Sequence, residues 1–274
     1  MRRLLPLLCM FLCLHCWAQE HAALLMVHYG TTSSEAQRLS IDALNERARQ
    51  QFPAFEVREA WLSPVVVSRL AAKGIKKQNV IEALLRLRAD GYTSVRVLPS
   101  FVIDGLEMAQ LRRDVEQLRP FFDTISVSSP LLYTVQDCQR LCAILAQRHA
   151  ADAKKRHHVV FVGHGTEGPA TALYSQLDHI LHAQGHPLHH VATIEGYPTL
   201  QTLIQELRAQ RAKAVTLVPL LFVAGNHATK DISGAWKEAL EGEGFSVTVC
   251  TEGLGQVGEI QQLYISHIDN QKNP

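Results

Sequence analysis

The chain has 274 residues, of which 47% are hydrophobic, and its formal net charge is +1 at pH 7. Acidic and basic residues are interspersed, so there is no basic stripe of the kind that nucleic acid requires, and we expect no nucleic-acid partner. The length exceeds that of a usual single domain and suits two lobes of roughly 120 residues each.

The amino terminus predicts an export signal. Two arginines precede an apolar run of about 15 residues, which is short for a membrane span of roughly 20. We expect residues 1–18 to be a signal peptide that is cleaved after Ala18, so that the mature chain is periplasmic and has no transmembrane segment. Lipoprotein anchoring through Cys13 or Cys16 is the less favoured alternative, because the residues just before these cysteines are not small.

Eight short runs rich in β-branched residues alternate with segments of helical length along the rest of the chain. This order predicts an α/β fold with parallel sheets flanked by helices. A Ser- and Thr-rich stretch before Glu35 predicts the start of the first helix. In chain order the runs are ALLMVHYG, FEVREAWL, SVRVLPSFV, TISVSSP, HHVVFVGHG, HHVATIEGY, AVTLVPLLFVAG and FSVTVCTEG.

The two halves of the chain repeat one another. Three pairs of residues align in the same order, namely Gly30 with Gly165, Pro64 with Pro198, and Pro99 with Pro219. We therefore predict two similar βα lobes, residues 19–131 and 132–274, with a cleft between them. Open α/β sheets bind ligands at the carboxyl ends of their strands, so strand ends should line this cleft.

The second half differs from the first at three predicted strand ends. In the alignment His164 stands opposite Tyr29, Glu195 opposite Trp61, and His227 opposite Glu107. Two imidazoles and one carboxylate suit a borderline divalent cation and leave positions open for a further ligand. A single histidine at a strand end is more often structural, but three such residues placed together by a repeat favour function. The sequence predicts that all three are metal ligands and catalytic residues.

Several motifs also resemble those of a known family. They are YGTT and VLPSFVIDGLE in the first half, and GHGTEGPATALYSQLD, IEGYPT and VPLLFVAGNHATKDISG in the second. Together they resemble the anaerobic-type sirohydrochlorin cobaltochelatases, the CbiK family of class II chelatases, over residues 22–268. The resemblance implies a two-lobed chelatase fold, a tetrapyrrole held between the lobes and no organic cofactor. It also implies a divalent metal as substrate, Co²⁺ first, with Fe²⁺ and Ni²⁺ as alternatives.

Residue by residue, the resemblance places the metal ligands of the family on His164, Glu195 and His227, in agreement with the repeat. The chain departs from the family at two positions where a histidine is usual, because it has Gly168 and Phe101 there.

Metal insertion requires the macrocycle to lose two inner protons and the cation to shed its water. We hypothesise that the three ligands hold the cation on one face of the ring, with His164 as the proton acceptor. Side chains of the first half are predicted to contact the tetrapyrrole, with ordinary core packing as the alternative for the aromatic ones. These candidates are His28, Tyr29, Trp61, Phe101 and Glu107.

The export signal keeps two other functions open. The chain could be an exported protein of iron uptake that binds haem, with or without removal of its metal, or a periplasmic protein that binds or stores metal. A histidine-rich stretch from Asp178 to His190 could bind metal or haem, although histidines exposed to solvent on a helix and a turn explain it more simply. The sequence also leaves open that the chain forms a homo-oligomer.

The cysteines do not predict a disulfide framework. Beyond the signal peptide only Cys138, Cys142 and Cys250 remain, and the first two lie one helical turn apart. Small exported domains that rely on disulfides have more cysteines than this.

Overall fold

The computed structural model describes residues 22–154, 156–225 and 230–269. The predicted α/β fold is confirmed, since the chain forms two four-stranded parallel sheets with strand orders β2-β1-β3-β4 and β6-β5-β7-β8. Each of the eight runs contributes one strand. The strands are β1 Ala22–His28, β2 Glu56–Trp61, β3 Ser94–Pro99, β4 Thr124–Val127, β5 His157–Gly165, β6 His189–Glu195, β7 Ala214–Pro219 and β8 Ser246–Val249. The predicted signal peptide lies outside the described residues and stays a prediction.

Helices connect the strands and cover both faces of each sheet. The predicted first helix starts where the sequence indicates, because the side chain of Ser33 caps it by accepting a hydrogen bond from the backbone N–H of Ala36. A π-helical stretch, Gln37–Asp42, joins α1 to α2, and a second one, Asp231–Trp236, precedes α9. The α-helices are α1 Ser34–Ala36, α2 Ala43–Gln51, α3 Pro64–Ala71, α4 Val80–Ala89, α5 Leu106–Leu118, α6 Val135–Arg148, α7 Ala172–Ala183, α8 Leu200–Ala209, α9 Lys237–Gly242 and α10 Gly258–Asp269.

The strand register shows the duplication directly. In the first sheet Val27 of β1 pairs with Pro99 of β3, and in the second sheet Val162 of β5 pairs with Pro219 of β7. Because the sequence repeat aligns the same residues, the two central strand pairs are equivalent in both halves. Strand β4 ends before residue 131 and strand β5 starts after it, so the predicted lobe boundary falls in the connection between the sheets.

The two sheets are joined by a shared core. Its largest buried cluster combines side chains from both halves, among them Met26, Trp61, Phe161 and Phe222. Helix α10, at the end of the second half, packs against the first half. The hydroxyl of its residue Tyr264 donates a hydrogen bond to the backbone carbonyl of Ser100 at 3.2 Å. The carboxyl ends of the two sheets are therefore held in a fixed relation to each other.

The cysteines agree with the sequence analysis. Cys138, Cys142 and Cys250 are free thiols, and no disulfide joins any of the described residues. Burial raises the pKa of Cys138 to about 11 and that of Cys142 to about 12, so these two thiols are protonated at neutral pH. In the part of the chain that the structure describes, no helix has the length and apolar character needed to cross a membrane.

Candidate metal centre

The end of strand β5 has the sequence Gly163-His164-Gly165, and both glycines are required by their neighbours. A Cβ atom on Gly163 would lie 2.2 Å from the ring of Tyr174, and a Cβ atom on Gly165 would lie 1.3 Å from the backbone oxygen of Glu195. Gly165 also has a φ of +86°, which side-chain-bearing residues rarely adopt. The histidine between them turns away from this packing, and 63% of its side chain is exposed.

His164 and Glu195 lie side by side at the carboxyl edge of the second sheet. Gly165, the residue after His164, pairs with Glu195 across β5 and β6. The side chains of His164 and Glu195 therefore leave neighbouring strands at nearly the same level. Nδ1 of His164 is 4.0 Å from Oε2 of Glu195, and 66% of the Glu195 side chain is exposed. First-row metals bind nitrogen and oxygen at about 2.0 to 2.2 Å, so one cation can touch both atoms with little movement. The structure thus brings together two of the three predicted ligands.

The third predicted ligand, His227, lies outside the described residues, and its place in the site stays a prediction. The chain that leads to it is described as far as Gly225. After β7 the backbone N–H of Leu220 donates to the carbonyl of Val162 at 2.8 Å, two residues before His164. A Cβ atom on Gly225 would lie 3.4 Å from Oγ1 of Thr31, in the first half. The described part of this segment therefore starts beside the carboxyl end of β5 and reaches Thr31 of the first half at Gly225.

A cavity of about 860 Å³ lies beside the carboxyl end of the first sheet. Its walls come from residues between 29 and 114, and three predicted tetrapyrrole contacts are among them, namely Tyr29, Trp61 and Glu107. The volume falls within the range of small-molecule sites. The exposed apolar side chains of Val65 and Leu106 also line it; no sequence pattern singled them out, because isolated apolar residues on helices look like core positions.

The charge of one wall residue of the cavity acts on Tyr174, which contacts the turn that carries His164. The hydroxyl of Tyr174 accepts a hydrogen bond from the backbone N–H of Gly165 at 3.3 Å. Burial raises the pKa of this tyrosine, and the negative charge of Glu107 raises it further. Glu107, a wall residue of the cavity, is therefore within electrostatic range of the turn that carries His164.

Three of the five predicted tetrapyrrole contacts are buried. Both ring nitrogens of His28 are satisfied inside the protein, by Ser100 and by Asn45, each at 2.9 Å. Phe101 belongs to the core of the first lobe, with 7% of its surface exposed, and does not line the cavity. Trp61 borders the cavity only from within the core, since none of its surface is exposed. Among the five, only Tyr29 and Glu107 present their own surface at the cavity.

Two duplicated parallel βα lobes, with a histidine and a carboxylate exposed at the strand ends of the second, define a protein of the chelatase fold class. Solved structures of this class are similar to the chain. SirB from Bacillus subtilis with Fe³⁺ has a TM-score of 0.66 at 14% identity, covering 91% of this chain and 94% of that one. CbiX, described as the terminal enzyme of sirohaem biosynthesis in denitrifying bacteria, has a TM-score of 0.58 at 18% identity, covering 92% and 100%.

The sequence comparisons identify the family within this class. The profile of the cobalt chelatase (CbiK) family matches residues 22–273. The sirohydrochlorin cobaltochelatase of Salmonella typhimurium is 31% identical over 92% of this chain and 96% of its own length. Sirohydrochlorin cobaltochelatase CbiKC of Nitratidesulfovibrio vulgaris is 32% identical over 89% of this chain and 88% of its own length. The chain belongs to the cobalt chelatase (CbiK) family.

Proposed function

We propose that the chain is a sirohydrochlorin cobaltochelatase, which inserts Co²⁺ into the macrocycle. The observation that carries the proposal is the pair of exposed side chains at the carboxyl edge of the second sheet, His164 and Glu195, whose Nδ1 and Oε2 atoms lie 4.0 Å apart. The names of the relatives in Salmonella typhimurium and Nitratidesulfovibrio vulgaris support the substrate and the metal.

Metal insertion requires a site that binds the cation weakly enough to release it and that accepts protons from the macrocycle. An imidazole and a carboxylate replace water around a borderline cation, yet they release it more readily than several thiolates would. In this proposal His164 and Glu195, together with His227, present Co²⁺ to one face of the ring. Because its side chain is largely exposed, His164 can take a proton from the macrocycle and pass it to solvent.

The cavity of the first lobe supplies the other half of the site. Tyr29, half of whose surface is exposed, offers an aromatic face to the macrocycle, and Glu107 adds a carboxylate to the cavity wall. Fe²⁺ and Ni²⁺ bind the same kinds of ligand, and we propose them as secondary substrates.

We also propose that the chain acts after export, with cleavage following Ala18. The proposal is supported by the charged and apolar pattern of residues 1–18 and by a family match that begins only at residue 22. Amino-terminal sequencing of the protein from its native host tests it, and a chain that keeps Met1 in the cytosol would overturn it. The relatives in Salmonella typhimurium and Nitratidesulfovibrio vulgaris favour chelation over haem uptake or metal storage.

The direct test is incubation of the mature chain with sirohydrochlorin and Co²⁺. The absorbance change of metal insertion is followed against a reaction without protein, so that uncatalysed uptake of metal by the free ring is subtracted. We expect a clear acceleration with the native chain and none with Glu195→Gln. Equal rates with and without native protein would reject the proposal. A parallel titration with haem that gave tight binding and no chelation would favour the haem-uptake alternative.

A further inference from the structure

The histidine-rich stretch that starts at Asp178 folds into a compact cluster. The expectation of solvent-exposed histidines is wrong for His189 and His190, which are buried at the start of strand β6. Asp178 and His182 lie one turn apart on helix α7, which packs against that strand. One ligand atom each of Asp178, His182 and His190 lies within 4.8 Å of the others.

The helix side of the cluster is oriented by its outer hydrogen bonds. Nε2 of His182 bonds to the backbone carbonyl of His189 at 3.1 Å, so it must carry the proton, and Nδ1 is left with a free lone pair. Oδ1 of Asp178 accepts the backbone N–H of Val191 at 2.9 Å, which leaves Oδ2 available. The free Nδ1 and Oδ2 atoms face each other at 3.7 Å. Metal-binding histidines are commonly fixed in this way, with the second ring nitrogen donating to a carbonyl.

The strand side of the cluster contains a buried nitrogen with nothing to bind. The side chain of His190 is fully buried, and its Nε2 lies 2.9 Å from Nδ1 of His158. Its Nδ1 has no hydrogen-bond partner among the described residues. The nearest carboxylate oxygen, Oε2 of Glu206 on helix α8, is 3.8 Å away, too far for a hydrogen bond. A buried polar atom without a partner is costly, which points to a ligand that occupies this place.

The spacing of these atoms suits a tetrahedral cation. Zinc binds nitrogen and oxygen at about 2.0 to 2.2 Å, so neighbouring ligand atoms in a tetrahedron lie about 3.3 to 3.6 Å apart. The separation of 3.7 Å for Asp178 and His182 exceeds this range by a few tenths of an ångström at most, and the ligand atoms of these two and His190 lie within 4.8 Å of one another. Side-chain rotations would bring these three groups onto one ion, and Glu206, 3.8 Å from Nδ1 of His190, would turn toward the ion to complete the tetrahedron.

We propose that Asp178, His182 and His190, with Glu206 as the fourth ligand, form a second metal site for a zinc-type divalent cation. The site is distinct from the one that contains Glu195, because His190 precedes Glu195 by five residues on the same strand, roughly 16 Å at the usual rise. It joins helices α7 and α8 to β6, the edge strand of the second sheet. A closed set of four protein ligands is typical of a structural site, and this one would fix the two helices against the edge strand.

The test is the binding of Zn²⁺ to the full mature chain. Equilibrium dialysis should show a Zn²⁺ ion that remains when His164→Ala and Glu195→Gln are combined. In that background His182→Gln should raise the dissociation constant for Zn²⁺ at least 100-fold. Asp178→Asn provides a second variant that does not disturb the buried histidine. His179→Gln, an exposed histidine on the same helix, is the matched control and should keep the native affinity.

X-ray absorption of the zinc-loaded double variant should show four nitrogen or oxygen neighbours, two of them imidazoles. Added Zn²⁺ should raise the melting temperature of this protein but not that of its His182→Gln derivative. Retention of Zn²⁺ with unchanged affinity in both His182→Gln and Asp178→Asn would overturn the proposal, as would an equal loss in His179→Gln. Since His182 lies outside the chelatase site, His182→Gln alone should still insert Co²⁺ into sirohydrochlorin, so this result and the proposed function are tested separately.

Discussion

The two halves of the molecule use the same glycine position in opposite ways. Gly30 and Gly165 end equivalent strands, and both have positive φ, +101° and +86°. In the first half the space that a Cβ atom would take at Gly30 is filled by the ring of Trp61, 2.4 Å from that position. In the second half the space at Gly165 is filled by the backbone carbonyl of Glu195, so the side chain of Glu195 is free to turn outward.

This difference explains why a duplicated fold exposes the carboxylate in one copy only. The first copy uses its strand-end side chain as core, and Trp61 has no exposed surface. The second copy packs backbone against backbone and exposes a carboxylate next to His164. Both copies retain the strands, register and turns. Whether a side chain is exposed at this strand end depends on whether the side chain or the backbone of the neighbouring residue contacts the glycine.

The largest expected effect is the loss of activity when the exposed pair is changed. Glu195→Gln or His164→Ala should lower kcat/KM for Co²⁺ insertion at least 1000-fold, about 4 kcal/mol in the barrier. The melting temperature should stay close to that of the native chain, because both side chains are about two-thirds exposed. Steady-state kinetics and thermal unfolding, measured on the same samples, check this. Near-native kcat/KM in both variants would mean that the second copy is no more catalytic than the first.

The close approach at the second glycine should appear as a loss of stability. Gly165→Ala should lower the free energy of unfolding by about 3 kcal/mol, because the added methyl group meets a backbone atom at a strained φ. Gly185 has the same φ of +86° but no atom within 4 Å of its Cβ position, so Gly185→Ala should cost only about 1 kcal/mol. Urea unfolding of the two variants isolates the contact, and equal losses would show that the contact contributes nothing.

The buried strand histidines of the two halves should respond differently to substitution at pH 7, and the one without partners should make stability depend on pH. Burial, with repulsion from neighbouring histidines, lowers the pKa of His189 to about 4, and neither of its ring nitrogens has a partner among the described residues. Below about pH 6.5 the unfolded chain binds a proton that the folded chain does not, so stability falls with falling pH. The loss from this group reaches about 2 kcal/mol at pH 5.

His189→Leu should therefore reduce the fall in stability between pH 7 and pH 5 by about 2 kcal/mol, measured by urea unfolding in metal-free buffer. It should cost little at pH 7, because the substitution removes unsatisfied polar atoms. His28→Leu is the contrasting variant and should destabilise the protein at pH 7, since Ser100 and Asn45 would lose their hydrogen bonds to the ring. Identical pH profiles for His189→Leu and the native chain would contradict the assignment.

The sequence predicted the parts of the structure that depend on pattern. Alternation of β-branched runs and helical segments located all eight strands, and the repeat placed His164 and Glu195 at equivalent strand ends of one sheet. Both features follow from backbone periodicity, which a single sequence records.

The burial of individual side chains could not be predicted in the same way. His28, Trp61 and Phe101 lie at or just beyond strand ends, as His164 and Glu195 do, and only the packing of the folded chain around them shows that they are core. The clustering of Asp178 with His190 was also hidden, because it depends on how helix α7 lies against an edge strand. Charge and polarity alone made that stretch look like a solvated surface.

The smallest effect concerns the cavity wall, where the first half makes its own contribution to binding. Tyr29 is the equivalent of His164, and 52% of its surface is exposed at the cavity. Tyr29→Ala should raise the KM for sirohydrochlorin about fivefold, close to 1 kcal/mol, because an aromatic contact with the ring is lost. The KM for Co²⁺ should stay unchanged, since the proposed metal ligands belong to the other lobe, and Tyr29→Phe should behave like the native chain because it keeps the aromatic face. A rise in the Co²⁺ KM equal to that for sirohydrochlorin would show that the two lobes do not divide the substrates between them.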